Sequence, residues 1–428
     1  MSEQSKGYTY QITMIGILFF ILGFVTWLNS ILIPYLRIAC ELTTFESYLV
    51  TFASYIAYFF TAIPSSWILK KTGLVNGMAL ALLVIGVGAL LFIPAAMSRA
   101  YIIFLLGLFV MGTGMSILQT AVNPYATILG PVESAAKRIS IMGVCNKVAG
   151  MLSPLILGAV VFKNLASEDE VKAQLAQMAA DHRETFLSEL AMRVILPAVV
   201  LAGVMILLAL LVRLSKLPEV ELDEETPQAD AASGVVRQQK TSVLQFPFLV
   251  LGVITIFFYV GVEVMAVDTI ASYGSYFGFD LSATKIFPTY VLICMVIGYF
   301  IGIVAIPKYL KQDKALAWFS VAGMIFTIAA IFTSGFASIV CIALLGLAHS
   351  IMWPAIWPLS LDGLGKFTKI GSALLIMGIA GGAIIPPIYG ALADSMNPQQ
   401  AYWIMIPCYL FILFFAVKGH KIGRIRHE

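Results

Sequence analysis

Charged side chains are scarce in this sequence: they make up 11% of its 428 residues, whereas hydrophobic residues make up 60%. Soluble globular proteins have roughly 25% charged residues, so this chain lacks the polar surface that faces water. In lipid, only helices or a closed barrel satisfy every backbone hydrogen bond. A barrel needs segments of about ten residues with alternating hydrophobicity, but runs such as 74–97 and 194–212 are almost continuously apolar. The sequence therefore predicts an all-α membrane protein.

Motifs of several enzyme classes are missing from the sequence. It has no GxxxxGK[ST] segment and no polar region long enough for an ATPase domain, which argues against direct use of ATP. It has no HExxH motif, Cys/His cluster or visible nucleophile–base arrangement, so we expect neither an enzyme nor a resident metal or cofactor. The five cysteines lie mostly in apolar runs and are interpreted as small hydrophobes. We expect no nucleic-acid partner.

Apolar runs long enough to cross a bilayer core of about 30 Å recur twelve times. We predict spans at 11–36, 47–69, 74–98, 101–128, 139–163, 191–214, 245–274, 283–306, 315–333, 336–360, 371–393 and 400–417. A polar, partly acidic stretch follows the sixth span. It predicts an N-terminal six-helix half at 1–214, a cytoplasmic linker at 215–244 and a C-terminal six-helix half at 245–428. Two pseudo-symmetric halves of this kind are the layout of the major facilitator fold; another twelve-span fold is the alternative.

The positive charges indicate the orientation of these spans. Of the 26 Lys and Arg residues, 18 fall on the side that carries both termini, seven fall on the other side, and Lys147 lies inside a span. Lys and Arg accumulate in cytoplasmic loops of membrane proteins, so both termini are predicted to be cytoplasmic. The charged stretch from Ser167 to about Glu189 is predicted to form an amphipathic helix at the outer surface.

Three ionisable residues lie well inside predicted spans: Lys147, Glu263 and Asp268. A charge at the centre of a membrane helix costs at least about 2.5 kcal/mol, so each needs a partner, water or a function. We favour functional roles for Lys147 and Glu263, against the alternatives of a snorkelling or ion-paired lysine and a structurally hydrogen-bonded carboxylate. Asp268 lies nearer the outer end of its span, where we expect it to meet water.

Uncharged polar residues share helix faces within the spans. Gln119 and Asn123 are four residues apart on span 4, and Thr26 and Ser30 are four apart on span 1, with Asn29 adjacent. Residues at this spacing project from the same side of a helix. Each pair therefore offers hydrogen-bond donors and acceptors to one place.

Tryptophans supply aromatic surface inside the predicted bundle. His349, Trp353 and Trp357 recur at i, i+4 and i+8 on span 10. Tryptophan is common at the membrane interface, but Trp353 lies too deep in its span for that role. We predict a pocket role for Trp353 and for Trp27 on span 1, and a packing role for Trp357.

Four sequence segments resemble one known family. They are residues 24–35 (FVTWLNSILIPY), 119–125 with 129–131 (QTAVNPY and LGP), 258–263 (FYVGVE), and the stretch from 352–354 (MWP) through 361–365 (LDGLG) to 381–386 (GGAIIP). They are similar to the fucose–galactose–glucose:cation symporters, a bacterial sugar branch of the major facilitator superfamily. The resemblance covers essentially the whole chain.

The resemblance implies a secondary transporter, a monomer in the bacterial inner membrane, that moves a hexose by alternating access with a co-transported cation, H⁺ or Na⁺. The hypothesis assigns sugar contacts to Asn29, Trp27, Gln119, Asn123, Asn146, Glu263 and Trp353. Lys147 and Glu263 are expected to form, break or compensate a charge pair during the cycle. Coupling or gating is assigned to these two residues and to Asp268.

The sequence departs from the family pattern at the coupling positions. Proton symporters of the family carry an Asp where this chain has Ser30 and a Glu where it has Gln119, while Gly143 replaces a Gln and Lys147 appears one turn later. Proton coupling, Na⁺ coupling through Glu263 and uncoupled facilitation all stay open on this evidence. A facilitator for sugar acids, other organic anions or drugs, attracted by Lys147, is the alternative function. A membrane sugar sensor ranks below both.

Overall fold

The computed structural model of the chain describes residues 3–128, 135–165, 168–215, 217, 243–305, 310–364 and 367–423. Within these ranges every regular element is a helix, as expected. Twelve helical stretches are long and apolar enough to cross a membrane, which confirms the predicted number. Most of the predicted linker at 215–244 and the 129–131 segment lie outside the described residues.

The first six spans are built from eleven helices. They are α1 (Glu3–Thr26), α2 (Asn29–Ala39), α3 (Thr44–Ser47), α4 (Leu49–Thr72), α5 (Leu74–Leu90), α6 (Phe92–Ser98), α7 (Tyr101–Ile128), α8 (Ala135–Val161), α9 (Glu168–Gln177), α10 (Ala180–Met192) and α11 (Ile195–Leu214). The helical stretch predicted between spans 5 and 6 is confirmed, but it forms two helices, α9 and α10. Because α10 runs almost directly into α11, the sixth candidate span extends over Ala180–Leu214 rather than starting at residue 191.

The second six spans are built from nine α-helices. They contain α12 (Pro247–Tyr276), α13 (Leu281–Thr284), α14 (Phe287–Ala305), α15 (Gln312–Phe332), α16 (Gly335–His349), α17 (Met352–Leu361), α18 (Thr368–Met377), α19 (Gly381–Ser395) and α20 (Met405–Val417). Short 3₁₀ helices lie at Val243–Gln245, Gly378–Ala380, Gln400–Ile404 and Gly419–Lys421.

The first span is broken in its interior, between α1 and α2. Around the break, the Thr26 hydroxyl donates to the carbonyl of Leu22 at 2.6 Å, and the Ser30 hydroxyl donates to the carbonyl of Trp27 at 2.8 Å. Non-helical backbone inside a membrane must find its partners within the protein. These two hydroxyls satisfy carbonyls beside the break, so Ser30 has a structural role here.

Two glycines bring the site-bearing helices close to their neighbours. A side chain at Gly23 on α1 would overlap the backbone of Asn146 on α8, and one at Gly381 on α19 would overlap the backbone of Phe257 on α12. Small residues at membrane helix contacts let backbones approach closely. Gly23 thus fixes the helix that carries Lys147, and Gly381 fixes the helix that carries Glu263.

Among the described residues the two halves pack against each other mainly through four helix pairs, α8 with α14, α4 with α19, α3 with α19, and α2 with α12, and α4 also meets α18 and the 3₁₀ helix Gly378–Ala380. At the bundle end that carries α3, hereafter the α3 end, the carboxylate of Asp394 accepts hydrogen bonds from the backbone N–H groups of Thr44 (3.2 Å) and Phe45 (2.8 Å). The rings of Tyr48 and Tyr389 meet edge to face there, with centroids 5.5 Å apart. The halves are therefore in contact at the α3 end.

Candidate functional site

An ion pair joins the two halves inside the bundle. Lys147 Nζ on α8 lies 3.0 Å from Glu263 Oε1 on α12, and each side chain is 10% exposed. The two residues are 116 positions apart in the chain. Because a single buried charge in the membrane is costly, each residue supplies the partner that the other requires. The predicted pairing of Lys147 with Glu263 is present in this structure.

The indole of Trp27 covers the lysine side of this pair. Lys147 Nζ lies 4.7 Å from the centroid of the Trp27 ring, which is within the range of a cation–π contact. Trp27 is 2% exposed, and its Nε1 has no hydrogen-bond partner among the described residues. Gly150 on α8 leaves room for the indole, since any side chain there would overlap it. The structure thus places Trp27, Lys147 and Glu263 together.

Glu263 also faces aromatic residues of the second half. Its carboxylate interacts electrostatically with the phenols of Tyr259 and Tyr299. The Tyr259 ring lies 6.2 Å from that of Trp353, which stacks on Trp357 with centroids 5.2 Å apart. Trp353 was predicted to line a pocket and Trp357 to serve in packing. In the structure the two half-buried rings form a single stack.

Polar side chains of the first half line a small cavity among α1, α2, α4 and α7. Its lining includes the polar residues Thr26, Asn29, Ser54, Tyr55 and Tyr58, together with six apolar side chains and Gly112. The Ser54 hydroxyl donates to Asn29 Oδ1 at 3.3 Å. These groups could exchange their mutual hydrogen bonds for bonds to a polyhydroxylated ligand.

The other predicted contact residues lie at different distances from this cavity. Gln119 Nε2 donates to the cavity-lining Tyr58 hydroxyl at 3.1 Å. Asn146 instead donates to the carbonyl of Phe19 at 3.2 Å, which ties α8 to α1. Asn123 lies one turn beyond Gln119 on α7 and is exposed.

The expectation that Asp268 meets water is wrong. Asp268 is 0% exposed and lies on α12, which packs against α2 of the first half. The Thr51 hydroxyl on α4 donates to its Oδ2 at 3.1 Å, and its Oδ1 has no hydrogen-bond partner among the described residues. The position of Asp268 along its own span could not reveal a cover supplied by a helix more than 200 residues away.

Sequence reasoning also missed the polar face of span 2. Thr51, Ser54, Tyr55 and Tyr58 occupy positions i, i+3, i+4 and i+7 on one face of α4, which makes hydrogen bonds to α2, α7 and α12. That periodicity was the available signal, since polar residues on one face of a membrane helix face protein or water rather than lipid. Among the described residues, no group of three His, Cys, Asp or Glu is placed to hold a metal ion.

Twelve apolar helices in two halves, with an ion pair between the halves inside the bundle, define a polytopic membrane protein of the major facilitator fold. The chain belongs to the Major Facilitator Superfamily, whose family model matches residues 15–380.

Curated relatives and solved structures agree with this assignment. The chain is 35% identical to a glucose/galactose transporter of Brucella abortus biovar 1 (strain 9-941), over 98% of this chain and 96% of that protein. It is 28% identical to an L-fucose-proton symporter of Escherichia coli (strain K12), over 96% of this chain and 94% of that protein. These relatives confirm the predicted membership of the fucose–galactose–glucose:cation symporter family.

The crystal structure of FucP in the outward conformation matches 98% of this chain and 100% of that chain, with a TM-score of 0.70 and 26% identity. A bacterial homologue of the human lysosomal transporter Spinster, inward-facing and unoccupied, matches 100% of both chains with a TM-score of 0.68. At 14% identity, the second match shows the fold alone.

Proposed function

We propose that this protein is a secondary transporter that moves a hexose across the bacterial inner membrane by alternating access, together with a cation. The observation that carries the proposal is the buried Lys147–Glu263 pair, which links the two halves beside the indole of Trp27. Charged residues inside a membrane bundle mark substrate or ion pathways. Relatives named as glucose/galactose and L-fucose-proton transporters, aligned over nearly the whole chain, support a hexose as the substrate.

The sugar site is assigned to the region between this pair and the cavity beside Asn29. A hexose binds through many hydrogen bonds to its hydroxyl groups and through an aromatic surface under its C–H face. Asn29, Gln119, Asn123, Asn146 and Glu263 supply the amide and carboxylate groups. The indoles of Trp27 and Trp353 supply the aromatic surface.

The Lys147–Glu263 pair also gives the transporter an element with two states. Its members belong to different halves, so a rocking motion that separates the halves must lengthen or break the 3.0 Å contact. Breaking a buried pair leaves two uncompensated charges, which is strongly unfavourable. A bound sugar hydroxyl or a cation that bridges the separated groups lowers this cost, which links ligand binding to the conformational step.

The same proposal includes the orientation of the protein in the membrane, a monomeric state and transport without a chemical reaction. With both termini cytoplasmic, the α3 end faces the outside, and the described structure is closed on that side through Asp394 and the Tyr48–Tyr389 contact. Each monomer contains both halves and a complete site. The protein is proposed to translocate the sugar without changing it covalently, so no enzyme activity is assigned.

A sugar acid is a weaker candidate than a neutral hexose. An anionic substrate would need an unpaired cation in the site, but Lys147 is already neutralised by Glu263 at 3.0 Å. An anion approaching this pair would meet a carboxylate as well as an ammonium group. The neutral amides and hydroxyls around Asn29 suit uncharged hydroxyl groups instead.

The test is uptake of labelled glucose, galactose, fucose and N-acetylglucosamine into proteoliposomes under a proton gradient, a Na⁺ gradient or no gradient. We expect accumulation of at least one hexose under one of the gradients, with competition by unlabelled hexose and none by gluconate. Equilibration without accumulation would reject cation coupling and keep sugar transport. Absence of flux for all four sugars, with flux of a sugar acid, would overturn the proposal.

A further inference from the structure

Asp268 stands apart from the Lys147–Glu263 pair as a second buried acid. It is 0% exposed, and its one hydrogen bond among the described residues comes from the Thr51 hydroxyl at 3.1 Å. Its Oδ1 has no hydrogen-bond partner there, and the nearby Tyr55 hydroxyl likewise has none. The salt bridges of the described residues involve other acids.

The groups that surround Asp268 offer it no counter-charge. It interacts electrostatically with the phenols of Tyr48, between α3 and α4, and of Tyr55 on α4. Arg37 on α2, a cation that interacts with Tyr48, is itself paired with Glu168 at 3.1 Å. Other titratable groups of this region are Glu263, which like Asp268 interacts electrostatically with Tyr55, and the contacting phenols of Tyr273, Tyr389 and Tyr402.

The protonation state of Asp268 therefore depends on whether the α3 end is closed. An ionised carboxylate buried with one hydroxyl donor and no cation is very unfavourable, so the closed structure holds the neutral acid. Thr51 and Asp268 belong to different halves. When the halves separate at the α3 end, the carboxyl meets water, where an aspartic acid ionises near pH 3.9 and is charged at neutral pH.

We propose that Asp268 is a proton-binding site that must be protonated for the α3 end to close and is deprotonated when that end opens. This rests on the orientation and alternating access assigned under the proposed function. Each closure takes one proton from the outer solution, and each reopening returns it there. The site therefore sets the external pH range in which the transporter closes, and it adds no proton to the transport stoichiometry.

This role fits a chain in which the family's coupling acids are replaced by Ser30 and Gln119. Ser30 is buried and bonded to the Trp27 carbonyl, and Gln119 is bonded to Tyr58, so neither position supplies a titratable carboxyl. Glu263 is held by Lys147. Asp268 is thus the buried acid of the described spans that lacks a basic partner.

The test measures the distance across the α3 end as a function of pH, without any sugar. Spin labels are placed at Lys163→Cys and Met396→Cys, two exposed positions on opposite halves, in an otherwise cysteine-free full-length protein in nanodiscs. We expect the distance distribution to be short at acidic pH and to shift to longer values as the pH rises. The closed state binds one more proton than the open state, so stability of closure falls as pH increases through the transition.

Three variants decide the assignment. Asp268→Asn mimics the neutral acid and is expected to stay closed across the whole pH range. Thr51→Val keeps the carboxyl but removes a hydrogen bond that joins the halves only in the closed state; its loss weakens closure and is expected to lower the opening midpoint by about one pH unit. Asp280→Asn removes an exposed acid at the same end and is expected to behave as wild type.

The proposal is overturned if Asp268→Asn retains the wild-type pH transition, or if Thr51→Val leaves the midpoint unchanged. If Asp268→Asn does not fold, the midpoint of Thr51→Val decides alone. Because the distances are recorded without substrate, this result is independent of which solute is carried. A pH-dependent closure in a protein that transports no hexose would reject the proposed substrate and keep the proton site.

Discussion

Lys147 and Glu263 form an ion pair of 3.0 Å across the interface between the two halves, with the Trp27 ring over the ammonium group. This arrangement ties the relative position of the halves to the state of two buried charges. Each of the two charges can be buried because the other neutralises it. The stability and the transport activity of the protein should therefore respond differently to single and double substitutions of the pair.

We expect Lys147→Met and Glu263→Gln to differ from their combination. Lys147→Met leaves a buried carboxylate without its partner, which should destabilise the fold by about 3–5 kcal/mol. Glu263→Gln should destabilise the fold for the same reason, because it leaves the buried lysine without its partner. The double variant removes both charges and should recover most of the lost stability while remaining inactive in transport. Thermal unfolding in detergent, evaluated as a double-mutant cycle, measures the coupling; purely additive losses would show that the contact carries no energy.

Trp27→Leu should weaken sugar binding, and because the indole is buried it should also lower the stability of the fold. It removes the cation–π contact, worth about 1–2 kcal/mol at a desolvated site, together with the proposed stacking surface. A rise of about tenfold in the KM for hexose uptake is expected. The matched control is Trp67→Leu, because Trp67 on α4 is 63% exposed and lies away from the pair. Equal KM values for both variants would remove Trp27 from the site.

Asp394→Asn should open the α3 end. The Asp394 carboxylate accepts two backbone N–H groups from the opposite half, and the amide keeps only one acceptor oxygen and loses the charge. Loss of about 1–2 kcal/mol of closure energy corresponds to roughly a tenfold shift toward the open state. The label pair at positions 163 and 396 reports this shift. Asp313→Asn is the control, because Asp313 pairs with Lys421 at the other end of the bundle, and it should leave the distance unchanged.

Gly381→Ala should destabilise the second half. A methyl group at this position would overlap the Phe257 carbonyl, so α12 and α19 must move apart. Overpacking of this kind typically costs about 1–3 kcal/mol. Gly203→Ala is the matched control, since a methyl group there meets open space and improves helix propensity. A lower unfolding temperature for the first variant and an unchanged or higher one for the second are expected; equal values would contradict the close packing.

The sequence was sufficient to predict the twelve spans, because length and hydropathy alone determine which segments suit a bilayer. It was also sufficient to select Lys147 and Glu263, since a charge inside an apolar run is conspicuous. It could not predict the burial of Asp268, which depends on Thr51 and the rest of α4 in the other half. The contact between α3 and Asp394 likewise joins residues about 350 positions apart, and no local pattern encodes such a pairing.

The long separation between Lys147 and Glu263 has a consequence for how the protein is made. The ribosome completes six spans, with Lys147 in the fifth, before α12 and its carboxylate emerge. During this interval the lysine has no acid partner in the membrane, at a cost of at least about 2.5 kcal/mol. Trp27, synthesised first and within the same half, is the group then available to cover its ammonium. The Trp27 contact is thus one that the Lys147 ammonium can make without α12.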